Sequence, residues 1–265
     1  MRVQVRIQGV GVLAPGMPDW PTARSVLRGE TAFDPTIVPK PDAAILPPAE
    51  RRRASAAIRT SLSVALQAIR NAGVEASEVA TVFATSDCDA ENLNHLCEAL
   101  AAPQPEISPT RFHNAVQNAP AGYWTIAGAC TQASSTVNSY DWVIAHGLLE
   151  AAVMAVAESR TVMFVAHDLP MPPPLYALRP IESGFAVALV LAPDPAASGA
   201  LLDLRFGARE GGEATRMAHP QLEVLRASVP SAQALPLLES LALPRAGDVA
   251  IDYGDGRWLD VTVRV

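Results

Sequence analysis

Residues 184 to 191 read Gly-Phe-Ala-Val-Ala-Leu-Val-Leu, a stretch of strand length without a polar side chain. A strand apolar on both faces has to be covered on both faces, which places it inside a layered sheet. Between such strands the chain carries apolar stripes at helical spacing. Ile58, Leu62, Ala65, Leu66 and Ile69 form one, in a helix over 51–73 that Gly73 stops. Leu93, Leu96, Cys97 and Leu100 form another at i, i+3, i+4 and i+7, closed by Pro103 and Pro105. Ile144, Leu148, Ala151 and Ala155 mark the inward side of a helix over 141–158. Further helices are expected over 20–27 and 119–130, and further strands over 3–12, 81–85, 135–138 and 161–166. Alternating strands and helices of this kind specify a layered α/β fold.

After residue 195 the pattern weakens. A strand over 201–206, helices around Leu222 and Leu237, and strands over 249–253 and 258–263 are expected. The last two are joined at Gly254-Asp255-Gly256, which contains the Asp-Gly pair favoured in tight hairpins. The chain therefore divides into residues 1–195 and an extension, 196–265, of the same α/β unit.

Composition narrows the partners. With 49% hydrophobic and 18% charged residues over 265 positions, the chain can fill a large core. A net charge of −7 and one lysine, Lys40, argue against nucleic acid or an anionic membrane. The one basic cluster, Arg51-Arg52-Arg53, reads as an exposed helical segment or a docking spot. Cys88, Cys97 and Cys130 have neither disulfide-framework nor zinc spacing, which fits a reducing cytoplasm. The first residues lack the features of a signal peptide, and no window approaches the ~20 apolar residues of a membrane span. No metal, cofactor or phosphate-loop motif is present.

Four ordered segments carry a family resemblance. They are Val5-Arg6-Ile7-Gln8-Gly9-Val10-Gly11-Val12 with Ala14-Pro15, the helix over 51–73 with strand 81–85, Ile107-Ser108-Pro109 with Asn118-Ala119-Pro120-Ala121-Gly122, and Glu182-Ser183-Gly184 before the apolar strand. Together they resemble the N-terminal half of the thiolase-fold β-ketoacyl synthases. The implied fold is a thiolase-like layered α/β fold, an N-terminal half with a truncated C-terminal half. Read from chemistry alone, Pro120 suits a first helical turn and Asn118 can cap it. The resemblance adds that this helix lies near a dimer seam and an acyl pocket.

The resemblance also implies a cysteine nucleophile on a sharp turn between the third strand and the next helix. Here that turn reads Tyr140-Asp141-Trp142, with Asp141 in or next to the cysteine's place. Asp141 can instead cap the helix and complement its dipole. Cys130 reads as a buried filler rather than a substitute nucleophile, and Cys88 lies by analogy near the pocket wall. The family's histidine-bearing motifs have no counterpart around His95, His113, His146, His167 or His219. The expected protein is thus a non-catalytic subunit resembling the chain-length factors of aryl polyene and type II polyketide systems. It would need no cofactor, form a heterodimer with an active ketosynthase, and meet acyl-carrier protein indirectly. Ser86, Asp89, Asn92, His95, Arg111 and Phe112 are candidates for its tunnel wall, and Asn118, Pro120, Gly122, Tyr140 and Trp142 for the tunnel or interface. Two other readings stay open: a decarboxylase or acyltransferase acting alone through Asp141 or Cys130, and a homodimeric binder of acyl chains or carrier protein.

Overall fold

The first strand, β1 (Arg2–Leu13), changes character along its length. Val3, Val5 and Ile7 alternate with Arg2, Gln4 and Arg6, and after a register shift between Ile7 and Gly9 the strand is buried on both sides. A computed structural model describes residues 1–194, 196–209 and 211–264. Beyond β1 it contains α1 (Trp20–Leu27), α2 (Pro48–Arg53), α3 (Ala56–Ala72), β2 (Ala80–Thr85), α4 (Ala90–Ala101), α5 (Pro109–Asn114), α6 (Ala119–Ala127) and β3 (Ser134–Asn138). Then follow α7 (Val143–Glu158), β4 (Val162–Asp168), β5 (Phe185–Ala192), β6 (Ala200–Ala208), α8 (Pro220–Ser228), α9 (Leu235–Ala242), β7 (Gly247–Gly254) and β8 (Arg257–Arg264). Pro195, where the first unit was expected to end, lies outside the described residues.

The strands form one sheet in the order β3-β2-β4-β5-β1-β6-β8-β7. β3, β2 and β4 are mutually parallel, and all other neighbours are antiparallel. On one face α7 packs against β4, β2 and β1. On the other, α3 covers β1, β5 and β4, and α6 packs on α3. Gly9 and Gly11 explain how closely α3 approaches: a Cβ on Gly11 would lie 2.2 Å from the Val64 carbonyl oxygen, and one on Gly9 2.2 Å from that of Ala68. Gln67 Oε1 accepts from the Val12 N–H at 3.1 Å, and Asn71 Nδ2 donates to the Val10 carbonyl at 2.6 Å. The helix is capped by Ser55 and ends at Gly73, whose φ of 67° is left-handed.

The helix expected over 51–73 is two helices, because extended backbone at Ala54 and Ser55 ends α2 and caps α3. The stripe on α4 is helical, but only Leu96 of it is buried; Leu93, Cys97 and Leu100 face outward. The continuous stretch Tyr140–Glu158 has the length and composition of a membrane-spanning helix, contrary to the sequence expectation, although half of its apolar window is buried against the sheet.

β6, β8 and β7 explain why the pattern weakens after residue 195. Leu202, Leu204, Val249, Ile251, Leu259, Val261 and Val263 face the core beneath α7 and α9, while Asp203, Asp260 and Thr262 alternate with them. Strands with one wet face alternate instead of running apolar throughout. Asp203 is nevertheless fully buried, because Arg2 pairs with it and Gln4 donates to it at 3.1 Å; the Arg2 hydrogen bond holds its carboxyl down at about 2. The hairpin turn forms at Asp255-Gly256, both at positive φ, as two-residue hairpins require.

Candidate functional site

The carboxyl ends of parallel strands leave a crevice where ligands bind in open α/β sheets. Here β3, β2 and β4 end side by side at Asn138, Thr85 and Asp168. Outside them lies a cavity of about 290 Å³, walled by residues 85–91 after β2 and 167–171 after β4. A second cavity of about 230 Å³ shares Asp87, Cys88, Ala90 and Met171 with it and adds Leu93, Tyr140, Leu178 and Arg179.

The turn after β3 is tight. Ser139 leaves the strand, Tyr140 takes a left-handed φ of 54°, and a single 3-10 turn over 140–142 leads into α7. The expected capping by Asp141 does not occur: α7 begins only at Val143, with no side-chain cap. Its carboxylate instead accepts from Arg179 Nη2 at 2.9 Å, while Arg179 Nε forms an ion pair with Asp87 at 2.9 Å. The guanidinium also lies over the Tyr140 ring, 3.6 Å from its centroid, a close cation–π contact. One largely buried arginine therefore ties the loop after β2 to the turn after β3. From behind, Trp142 Nε1 donates to Asp252 at 3.1 Å, and Gln233 Nε2 donates to the Asp141 carbonyl at 3.0 Å.

Two neighbouring groups on β4 are buried. Asp168 accepts from the N–H groups of Ser86 (2.9 Å) and Ser231 (2.7 Å), and burial still pushes its carboxyl up. The His167 ring is buried too; desolvation lowers its pKa to about 4, and Nδ1 has no hydrogen-bond partner among the described residues.

Ser86 and Asp89 line the larger cavity, and Ser86 Oγ donates to Asp87 at 3.2 Å. Asp89 caps α4, accepting from the Asn92 N–H and side chain. Asn92 is buried and accepts from Arg111 at 3.4 Å. Pro120 and Asp89 share a small crevice with His167. Asn118 and Gly122 lie elsewhere, in an open groove between α6 and β3. Asn118 does not cap α6 with its side chain, because its φ of −91° and ψ of 7° depart from the extended conformation of a capping residue. His95 pairs with Glu91 and Glu98 on the α4 surface, and Phe112 is 61% exposed.

The thiols are placed without ambiguity. Cys130 is buried and its thiol donates to the Val79 carbonyl at 3.4 Å; Cys88 lies at the cavities, where burial raises its pKa; Cys97 is exposed. Arg179, Asp87, His167 and Asp168 were not anticipated. The polar pair His167-Asp168 directly after the apolar residues 162–166 was the one available signal.

Among curated proteins none matches this sequence. Several solved structures match the fold. A ketosynthase (ApeO) in complex with its chain length factor (ApeC) from Xenorhabdus doucetiae aligns with a TM-score of 0.73 at 22% identity, over 98% of this chain and 99% of that one. A type II PKS acyl-carrier protein in complex with its ketosynthase bound to the hexaketide gives 0.73 at 11% identity, with both chains fully covered. The ishigamide ketosynthase/chain length factor gives 0.69 at 14%, over 99% of each chain. These likenesses establish a thiolase-like ketosynthase fold across nearly the whole chain. The β-ketoacyl synthase N-terminal domain model matches residues 28–241, and with that match over most of its length the chain belongs to the β-ketoacyl synthase N-terminal domain family.

Proposed function

We propose that this protein is a non-catalytic chain-length-factor subunit that pairs with an active β-ketoacyl synthase in aryl polyene or related polyketide biosynthesis and helps to wall its acyl tunnel. The observation that carries the reading is the bare edge of the sheet. Among the described residues β3 pairs only with β2, and its Ser-Ser-Thr-Val-Asn sequence has none of the lysines or prolines that protect free edges. Exposed apolar side chains gather in the nearby segments: Leu93, Phe112, Val116, Ile126, Tyr140 and Leu178. Obligate interfaces bury about 2,000 Å² or more, and a surface of this kind suits one. That one solved relative is a ketosynthase in complex with its chain length factor supports the same partner.

The turn supports the absence of catalysis. At the turn where the resemblance puts the family's nucleophile, with Asp141 in or next to its place, this chain has Tyr140 and Asp141, and Arg179 already engages the carboxylate. On this reading residues 1–195 form the synthase-like unit and 196–265 its extension, with α7 a core helix of a cytoplasmic protein.

Co-expression with a ketosynthase encoded nearby, followed by mass measurement, should give a one-to-one complex. Thr136→Lys on β3 should abolish it while leaving the circular dichroism spectrum unchanged. Incubation with malonyl-carrier protein should yield neither adduct nor carbon dioxide. Release of either, lost in Asp141→Ala or Cys130→Ala, would overturn the reading.

A further inference from the structure

We propose that the outer face of β1, β6 and β8 docks an acidic helix of a partner protein, recognised by the guanidinium groups of Arg205 and Arg264. This surface lies away from the β3 edge and takes a partner other than a ketosynthase, so the inference goes beyond the pairing proposed above.

The face is the one turned away from α7 and α9, since Leu202, Leu204, Val261 and Val263 take the inward positions. α3 packs on β1, β5 and β4 on that side, and β6 and β8 lie past it. Three arginines converge there on Asp203. Arg2 takes both carboxylate oxygens and Gln4 donates to one of them at 3.1 Å, so the buried acid is already filled. Arg205 Nε stays 4.0 Å from it and Arg264 Nη2 3.9 Å. Those distances give attraction without a hydrogen bond, and among the described residues neither guanidinium donates one elsewhere. The two side chains are 61% and 55% exposed. Arg6, further along β1, is held by the Gly199 carbonyl at 2.7 Å.

Charge makes the arrangement unfavourable without a partner. Arg2 and Arg205 stand directly opposite each other in the β1–β6 ladder, a like-charge pair of the kind that weakens a sheet. Asp203 cancels only one of the three positive charges gathered around it. The remainder sits on a chain whose net charge is −7, so the patch departs from the character of the whole. Asp248 and Asp260 bound it towards β7, but Thr262 donates to the first at 2.7 Å and Arg209 to the second at 3.0 Å.

Shape and spacing select the partner. Side chains projecting from neighbouring strands form a flat surface, whereas small-molecule sites are concave. The net charge disfavours nucleic acid. Planar guanidinium groups suit carboxylates, which they can meet with two parallel hydrogen bonds. Both arginines approach the same carboxylate, so their free donors lie close enough to be met by acidic residues at i and i+4 of one helix, about 5–6 Å apart.

The test uses the full chain and a fluorescent alanine-based helical peptide of ~20 residues with glutamates at i and i+4, followed by anisotropy. The peptide should bind, its glutamine counterpart should not, and affinity should fall as salt rises from about 20 to about 300 mM. Arg205→Gln combined with Arg264→Gln should weaken binding about tenfold, while glutamine at Arg51, Arg52 and Arg53 should leave it unchanged. Arg205→Gln alone relieves the repulsion with Arg2, so its melting temperature should equal or exceed the wild-type value. A melting temperature several degrees lower would mark Arg205 as part of a structural ion pair and overturn the assignment. So would no binding by the wild type, or a loss that follows Arg51, Arg52 and Arg53 instead. Binding of inorganic phosphate or of phosphatidylglycerol vesicles through the two arginines, with the peptide unbound, would also overturn it. Failure to form a complex on co-expression would instead count against pairing, which the peptide series does not touch.

Discussion

Acidification from pH 7 to pH 4 should destabilise the protein through His167, by an amount that the structure sets. Burial lowers the pKa of this histidine from 6.5 to about 4, with Asp89 acting weakly in the opposite direction. Between those values the unfolded chain binds a proton that the folded chain refuses. Stability is therefore complete above pH 6.5 and is lost as the pH falls toward 4. Each pKa unit corresponds to ~1.4 kcal/mol, so the loss is about 3 kcal/mol, a large part of a typical stability of ~5–15 kcal/mol. Asp168 and Asp87 work the other way, because burial raises both and protonation relieves the folded state. Wild-type unfolding alone would mix these contributions, whereas comparison with His167→Phe separates them. Guanidinium unfolding of both proteins, at constant ionic strength from pH 7.5 to 4, gives the gap in stability. The gap should shift by about 3 kcal/mol in favour of the variant. A gap that stays constant across the range would refute a buried, neutral His167, whatever the variant's stability at neutral pH.

Gly11→Ala should cost about 3 kcal/mol in denaturant unfolding, because the new methyl group meets the Val64 carbonyl and α3 has to move; a wild-type midpoint would contradict the packing. Arg179→Met should leave Asp87 and Asp141 unpaired and lower stability by about 1–2 kcal/mol, read as a melting temperature several degrees lower. The three thiols should react with iodoacetamide in the order Cys97, Cys88, Cys130, the last only on unfolding, as followed by peptide mass mapping.

Periodicity made most elements legible because burial on one or both faces leaves a pattern in the chain itself. It located α3, α7, β2, β4 and β5 within a few residues, and the hairpin from Asp255-Gly256 alone. Periodicity does not say what covers a stripe. Leu93, Cys97 and Leu100 are spaced like core residues and yet face outward. Local rules failed where long-range contacts outcompeted them. Asp141 is well placed in sequence for a cap, but the left-handed step at Tyr140 delays α7, and the carboxylate turns to an arginine 38 residues away. That arginine sits in a proline-rich loop with no period, so only the fold brings it between Asp87 and Asp141.

The two edges of the sheet are treated differently, and the contrast has a physical consequence. Beside β7 at one end, the Thr215 N–H donates to the Ala250 carbonyl and its hydroxyl accepts from the Ala250 N–H, both at 2.9 Å, so an irregular segment pairs with that edge at Ala250. The outer face of β6, β8 and β7 carries Asp248, Asp260 and Thr262 and is polar, which disfavours an apolar partner surface. No comparable protection is present at β3 among the described residues. Exposed backbone donors and acceptors favour any strand that completes them, and the apolar residues on α4, α5 and α6 add the area that makes such pairing selective. Because the β7 edge is paired at Ala250 and the β3 edge is bare, pairing through a sheet edge should favour the β3 end. The same end holds Tyr140 and Leu178 of the second cavity, so a partner docking there would close over the site that Arg179 secures.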